Sequence, residues 1–357
     1  MNTPSKTLQP FAVNAPQGRI DFVIPTLNEA RHIRRVITAL LGSATRLEAR
    51  IFVADGGSTD GTQALVAQMA SQHPRIVLLH NPKRLQAAAV NLVVAQYGGK
   101  LDWILRVDAH ADYPQDYADV LLAEAARNRA DSVVVRMQAT PAGRGVMERS
   151  IAAAQNALFG NGGSAHRGEG RGRFVDHGHH ALMWVDAFRS VGGYDETFSH
   201  AEDVELDQRL VKAGHLIWLT GAAEIGYYPR QSLPQLARQY YRFGAGRWAN
   251  FRKHPDSLRK RHLILLSLAP IALLALLSPF EPLLAMPMAL WLLACLTAGV
   301  LTAWRSRQTE IVLCGVAGAV MQLAWSCGFW GRAIQDALQE SDTLAVPGRP
   351  PTTEDEK

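Results

Sequence analysis

Residues 50–62 read R-I-F-V-A-D-G-G-S-T-D-G-T, and this stretch decides the fold class. Four apolar residues in a row, Ile51 to Ala54, form a strand without polar alternation, as happens where both faces of a sheet are covered. The run ends at Asp55. A glycine-rich turn follows, and a helical pattern then starts near Asp60 and reaches Gln72. Working outward, the same order recurs. Residues 20–25 (IDFVIP) lead to a helical pattern over 29–41, residues 76–79 to one over 86–97, and residues 103–108 (WILRVD) to one over 116–128. Residues 132–137 make a fifth strand. Strand–helix alternation of this kind predicts an α/β fold with a mostly parallel sheet flanked by helices. Such sheets bind ligands at the carboxyl ends of their strands, and the distinctive polar residues of this chain fall there.

The chain has 357 residues, a formal net charge of +5, 48% hydrophobic residues and three cysteines. That composition excludes a disordered chain and a disulfide framework. The apolar residues are unevenly spread. Residues 263–279, 283–304 and 311–330 are three uncharged apolar segments of 17, 22 and 20 residues. A helix needs about 20 residues to cross a bilayer, so a C-terminal transmembrane region of about three helices is predicted, the first short and carrying Pro270. Arg252, Lys253, Arg259, Lys260 and Arg261 precede the first segment, and Arg305 and Arg307 separate the second from the third. The positive-inside tendency puts these basic residues in the cytoplasm and the C-terminal tail outside. Residues 1–19 have no apolar central run, so no signal peptide is expected. The expectation is a multi-pass protein of the inner (cytoplasmic) membrane with its catalytic domain in the cytoplasm. Its divisions are a flexible tail (1–18), a soluble domain (19–255), a membrane region (256–335) and a polar tail (336–357). Cys295, Cys314 and Cys327 all lie in apolar segments and read as packing residues.

Each strand end carries a motif. Pro25-Thr26-Leu27-Asn28-Glu29 follows the first strand, where Thr26 or Asn28 can cap the next helix. Asp55-Gly56-Gly57-Ser58 follows the second, with backbone N–H groups free to face an anion or simply to form an ordinary turn. Asp108-Ala109-His110 follows the fourth; a carboxylate and an imidazole at this spacing suit Mg²⁺ or Mn²⁺ when phosphates complete the shell. Asp176, His177, His179 and His180 are too tightly spaced for a usual tetrahedral zinc site. Residues 160–173, with six glycines and three arginines, read as a mobile substrate loop and contain no P-loop signature.

In the order PTLNEA, VADGGSTDGT, RVDAHADYP, FRSVGGYDETF, Glu202-Asp203 and QYYRFGAGRW, residues 20–248 resemble the inverting family 2 glycosyltransferases, which have a GT-A nucleotide-diphospho-sugar transferase fold. With the membrane-attached C-terminus and the FVDHGHHALM stretch, the chain looks most like the succinoglycan-type exopolysaccharide glucosyltransferases. The resemblance implies nucleotide-sugar contacts at Pro25, Thr26, Asn28, Glu29, Asp55 (facing uracil), Arg84 and Asp108. It implies a Mg²⁺ or Mn²⁺ ion on Asp108 and His110, where His110 replaces the family's second carboxylate. Asp203 matches the general base, with Glu202 as the alternative, and both also read as an acidic first turn of a helix. Gln239-Tyr240-Tyr241-Arg242-Phe243 resembles the Gln-X-X-Arg-Trp motif of processive relatives with Phe243 in place of Trp, so that Arg242 or Arg247 holds diphosphate. His179, His180 and Trp248 are implied on the acceptor side.

The implied partners are a UDP-sugar donor, expected to be UDP-glucose, a polyprenyl-diphosphate-linked saccharide acceptor, membrane lipids and other polysaccharide assembly enzymes. Two other functions compete: a polyprenyl-phosphate sugar transferase and a non-catalytic sugar-nucleotide-binding subunit. Nucleic acid is not expected as a partner. From residue 229 to 262 there are nine Lys and Arg against one acid, Asp256, so the positive charge gathers beside the membrane segments.

Overall fold

A computed structural model describes residues 18–161 and 172–344. The chain divides into two compact units, Met1–Pro229 and Arg230–Lys357.

The first unit is an α/β sheet. Its strands are β1 (Ile20–Thr26), β2 (Ile51–Asp55), β3 (Ile76–His80), β4 (Trp103–Arg106), β5 (Ala111–Asp112), β6 (Ser132–Ala139), β7 (Arg173–Val175), β8 (His179–Trp184) and β9 (Ile217–Tyr227). Its helices are α1 (Ile33–Arg46), α2 (Thr62–Gln72), α3 (Gln86–Tyr97), α4 (Tyr117–Asn128), α5 (Val146–Asn156), α6 (Leu158–Asn161), α7 (Val185–Ser190) and α8 (Glu202–Lys212). The sheet order is β3-β2-β1-β4-β8-β6-β9-β5, with β7 also pairing to β9. The strands β3, β2, β1 and β4 are parallel, as expected from the sequence. The rest is not. β8 runs antiparallel to both β4 and β6, and β9 is antiparallel to β5 and β7 and parallel to β6. The sheet is therefore mixed rather than mostly parallel. β7 and β8 are successive strands that run in the same direction, opposite to both β6 and β9.

Two apolar layers cover the sheet. Phe22, Ile24, Leu105 and Val107 pack on one side with Ile33, Ile37 and Leu121 of α1 and α4. Val23, Phe52, Ile104 and Met183 pack on the other with Val90 of α3, Phe188 of α7 and Leu206 of α8. Alternate strand residues thus serve opposite layers, as the pleat requires.

The second unit is helical: α9 (Leu233–Lys253), α10 (Lys260–Leu266), α11 (Leu268–Ala275), α12 (Met286–Ser306) and α13 (Cys314–Leu344). α9 belongs to this unit by compactness. Two stretches, Pro282–Ser306 and Thr309–Ser341, are long and apolar enough to cross a membrane. The first expected segment is not a single helix. Pro270 has no N–H for the carbonyl of Leu266, and that carbonyl accepts instead from the Ser326 hydroxyl at 3.2 Å and Trp330 Nε1 at 2.8 Å. The segment breaks there into α10 and α11, each too short to span. α9 and α13 meet through glycine. A Cβ on Gly244 would overlap the Trp325 carbonyl, and one on Gly328 would overlap that of Tyr241. Cys295 and Cys314 are buried and Cys327 is exposed; all three are free.

Candidate active site

The site forms where β4 ends. Because Ile104 enters an apolar layer, strand alternation sends Arg106 to the same side, and Arg106 is only 1% exposed. An unpaired guanidinium in that layer would cost several kcal/mol. The first turn of α8 compensates it. Asp203 Oδ1 bonds Arg106 Nη1, and Glu202 Oε1 lies 3.4 Å from Nη2. Asp108 Oδ1 is 3.7 Å from Nη2, Gln86 Oε1 accepts from Nη2 at 2.6 Å, and Nη1 donates to the Tyr194 hydroxyl at 3.2 Å. Burial opposes the charge, yet Asp203 and the other acidic groups hold the guanidinium well above its ordinary value.

α8 starts after Ala201, whose φ of 64° is in the left-handed region that costs a non-glycine residue roughly 1 kcal/mol. The turn presents its acids to different partners. Glu205 pairs with Arg209, Oε1 accepting from Nε at 2.8 Å, while Asp207 Oδ2 lies 2.8 Å from His177 Nδ1 and accepts from the Gly178 N–H at 3.1 Å. A Cβ on Gly178 would overlap the side chain of Val134, so only glycine lets the chain pass this close to β6. That passage sets His179. Its Nδ1 is 2.8 Å from Asp203 Oδ2, and its Nε2 is 3.6 Å from Asp108 Oδ2.

These contacts sort the ionisable groups. Burial would lower the His179 pKa, but hydrogen bonds to Asp108 and Asp203 push it up to about 9, so the ring is cationic at neutral pH. Burial would raise Asp203, but Arg106 and then His179 hold it well below the usual carboxylate range. Glu202 goes the other way: burial, then the charge of Asp203, push it up to about 6.

The first two loops are laced together beside this cluster. The Asn28 N–H donates to Ser58 Oγ at 2.8 Å, and Asn28 Oδ1 accepts from the Thr59 N–H at 2.9 Å. The Glu29 N–H donates to Thr62 Oγ1 at 2.9 Å, and the Ala30 N–H to Asp60 Oδ2 at 2.9 Å. Neither Thr26 nor Asn28 caps α1. The Thr26 hydroxyl turns back to the Ile24 carbonyl at 3.0 Å, and Asn28, at φ 58°, spends its side chain on the second loop. Pro25 sits where β1 pairs only with β2, because the β4 ladder stops at Val23. Asp55 is buried and accepts from the N–H groups of Gly57 and Ser58, at 2.9 and 2.8 Å, and from Gln63 Nε2 at 2.7 Å. Its carboxylate shapes the turn. Arg84, exposed and at φ 57°, lays its guanidinium over Gly57.

The Nδ1 of His110 is 3.0 Å from Glu29 Oε1. His179 approaches Asp108 from β8. Among the described residues, no group of three or more His, Cys, Asp or Glu is arranged to hold a metal by itself. The His180 side chain and most of the glycine-rich 160–173 stretch lie outside the described residues. Arg242, Arg247 and Trp248 lie on α9 in the second unit. There Arg242 is exposed. Burial, then the charge of Arg261, push Arg247 down to about 10. Trp248 Nε1 donates to Asp336 Oδ2 at 2.9 Å, and its ring packs on Phe329, which makes it part of the α9–α13 contact.

Sequence reasoning gave no role to Arg106, Tyr194 or Gln86. Arg106 alone left a signal, as the one charge inside the apolar run W-I-L-R-V. Tyr194 lay inside the quoted stretch FRSVGGYDETF without a role of its own, and Gln86 left no signal; each reaches the site by tertiary packing.

Residues 21–192 match the family described as Glycosyl transferase family 2. The succinoglycan biosynthesis protein ExoA of Rhizobium meliloti (strain 1021) is 48% identical over 308 residues, covering 86% of this chain and 93% of that protein. An N-acetylglucosaminyl-diphospho-decaprenol L-rhamnosyltransferase of Mycobacterium tuberculosis (strain ATCC 25618 / H37Rv) is 28% identical over 241 residues, 59% of this chain and 76% of that one. Among solved structures, the mannosyltransferase PcManGT from Pyrobaculum calidifontis, in complex with GDP-Man and Mn²⁺, aligns with a TM-score of 0.56 at 19% identity, over 88% of this chain and 90% of that one. At that identity the likeness is one of fold.

Proposed function

This chain belongs to glycosyltransferase family 2 and has a GT-A fold, and from that premise we propose that it is a membrane-attached inverting enzyme of exopolysaccharide synthesis. It moves a hexose, glucose in the first instance, from a UDP-sugar to a polyprenyl-diphosphate-linked saccharide. The observation that carries the reading is the placement of Asp203 in the first turn of α8, 2.8 Å from a histidine whose other nitrogen faces Asp108. A candidate base and a candidate donor-side carboxylate thus flank one imidazole. The high identity to a succinoglycan biosynthesis protein supports the exopolysaccharide assignment.

In this reading the Asp203 carboxylate accepts the proton of the acceptor hydroxyl as that oxygen bonds the anomeric carbon. The bond from that carbon to the UDP oxygen breaks in the same step, its electron pair leaving with UDP, and the configuration inverts. Asp203 remains ionised across the physiological range because Arg106 and His179 stabilise its charge. Glu202, with a pKa of about 6, is the alternative base. Arg84 and the laced loops would meet the nucleotide.

Asp108 and His110 offer an oxygen and a nitrogen, a donor set that fits Mg²⁺ or Mn²⁺ when substrate phosphates supply the remaining ligands. Such an ion, when bound, supplies positive charge for the departing diphosphate. Attachment is proposed through α12 and α13.

Membranes containing the protein, given a panel of nucleotide sugars with lipid-linked saccharide or bare polyprenyl phosphate as acceptor, test this. Transfer to the lipid-linked saccharide is expected. Transfer only to polyprenyl phosphate would replace the reading with a polyprenyl-phosphate sugar transferase, and no transfer from any donor would leave a binding subunit.

A further inference from the structure

Asp108 serves the donor side in the reading above and Asp203 the acceptor side, yet the two carboxylates share a further neighbour besides His179. Arg106 touches Asp203 through Nη1 and lies 3.4 Å from Glu202 and 3.7 Å from Asp108 through Nη2. Its side chain is 2% exposed, so water and salt screen it little. Arginine does not lose its proton in proteins, and its planar fork fixes the direction of each bond. Here that fork spans carboxylates from two elements, the end of β4 and the first turn of α8. Gln86 of α3, at 2.6 Å, and the Tyr194 hydroxyl, at 3.2 Å, hold it from two further segments.

We propose that Arg106 is a positioning residue that clamps Asp203 and Asp108 in one arrangement and competes with a divalent cation for Asp108. The inference rests on the reading of Asp108 as the metal-side carboxylate. Charge bookkeeping supports it. Among the described residues, the carboxylates of Asp108, Glu202 and Asp203 face the cations Arg106 and His179. A divalent ion arriving alone at Asp108 meets a fixed positive charge across the same carboxylate. An ion arriving with a nucleotide diphosphate brings its own compensation. Arg106 therefore makes metal and donor bind together, and it leaves Asp203 ionised and oriented before either arrives.

The test is a Mn²⁺ titration by calorimetry on the full chain in detergent, with and without UDP. Removing the guanidinium alone would leave buried acids unpaired, so Arg106→Gln is combined with Glu202→Gln, which removes one negative charge with it. The paired variant is expected to bind Mn²⁺ roughly tenfold more tightly than wild type without UDP, and to lose most of the UDP dependence. Arg106→Lys keeps the charge without the fork; its Mn²⁺ affinity should stay near wild type while kcat falls at an unchanged donor KM. A merely structural role would weaken Mn²⁺ binding in both variants.

Unchanged or weaker Mn²⁺ binding in a paired variant with a wild-type circular dichroism spectrum overturns the proposal. So does an absence of Mn²⁺ binding in both wild type and variant. Binding in the variant alone supports the clamp and removes the metal from the proposed reaction. If the paired variant does not fold, the kinetics of Arg106→Lys decide: equal loss in kcat and in donor binding overturns the clamp. Failure to transfer sugar in wild-type membranes is a separate result and bears on the function alone.

Discussion

His179 Nδ1 lies 2.8 Å from Asp203 Oδ2, which ties the first residue of β8 to the first turn of α8. The contact depends on Gly178, because any larger residue there would collide with Val134 and move the histidine. His179 is thereby more than a wall beside the acceptor. It links the two carboxylates on which the proposed chemistry rests.

Removing the charge of Asp203 tests its role as base. Asp203→Asn is expected to lower kcat by roughly 10²–10⁴-fold, the usual range for a positioned proton acceptor. UDP binding, measured by calorimetry, should stay near wild type. A variant with full activity would exclude Asp203 as the base.

The choice between Asp203 and Glu202 is visible in the pH profile. Glu202 is protonated below about 6, whereas Asp203 stays ionised far below that. If Asp203 is the base, kcat/KM carries no limb due to a base near pH 6, and Glu202→Gln leaves the profile unchanged in shape. A limb rising through about 6 in wild type and absent in Glu202→Gln would transfer the role to Glu202.

A chelator should suppress transfer, and Mn²⁺ or Mg²⁺ should restore it. Asp108→Asn should resist restoration. Activity indifferent to chelator in wild-type membranes would remove Asp108 and His110 from any metal role.

Asn28 links the first loop to the second through its side chain and its N–H, at 2.9 and 2.8 Å. Asn28→Ala removes the side-chain bond and places alanine in the left-handed region, at a combined cost of about 2 kcal/mol. The donor KM should rise while the acceptor KM holds. Equal changes in both would show that the laced loops are not the nucleotide platform.

In the second unit, Gly244→Leu inserts a side chain where the Trp325 carbonyl already lies. Overpacking of this kind costs about 1–3 kcal/mol. A lower melting temperature in detergent is expected, and an unchanged one would mean that α9 and α13 separate in the membrane protein.

Local pattern by itself determined much of this protein. Short, mostly apolar runs mark β1 to β4, because a strand covered on both faces is apolar at most positions, Asp21 and Arg106 being buried exceptions. The motifs after those strands, and the two long apolar stretches now seen as α12 and α13, are equally legible. Tertiary structure decided what one-dimensional pattern cannot hold. The antiparallel insertion of β8 depends on pairing between strands about 80 residues apart in sequence, such as Leu105 with Leu182. The break at Pro270 was visible as a proline, but its consequence follows from Ser326 and Trp330 taking the freed carbonyl. The spacing of Asp108 and His110 marked them as neighbours in sequence but said nothing of what the fold adds, and the fold brings Glu29 to His110 and His179 to Asp108. Arg106 is the sharpest case. A charge in an apolar strand is an oddity in sequence, and only the packing of α3 and α8 against β4 surrounds it with the groups that make its burial stable.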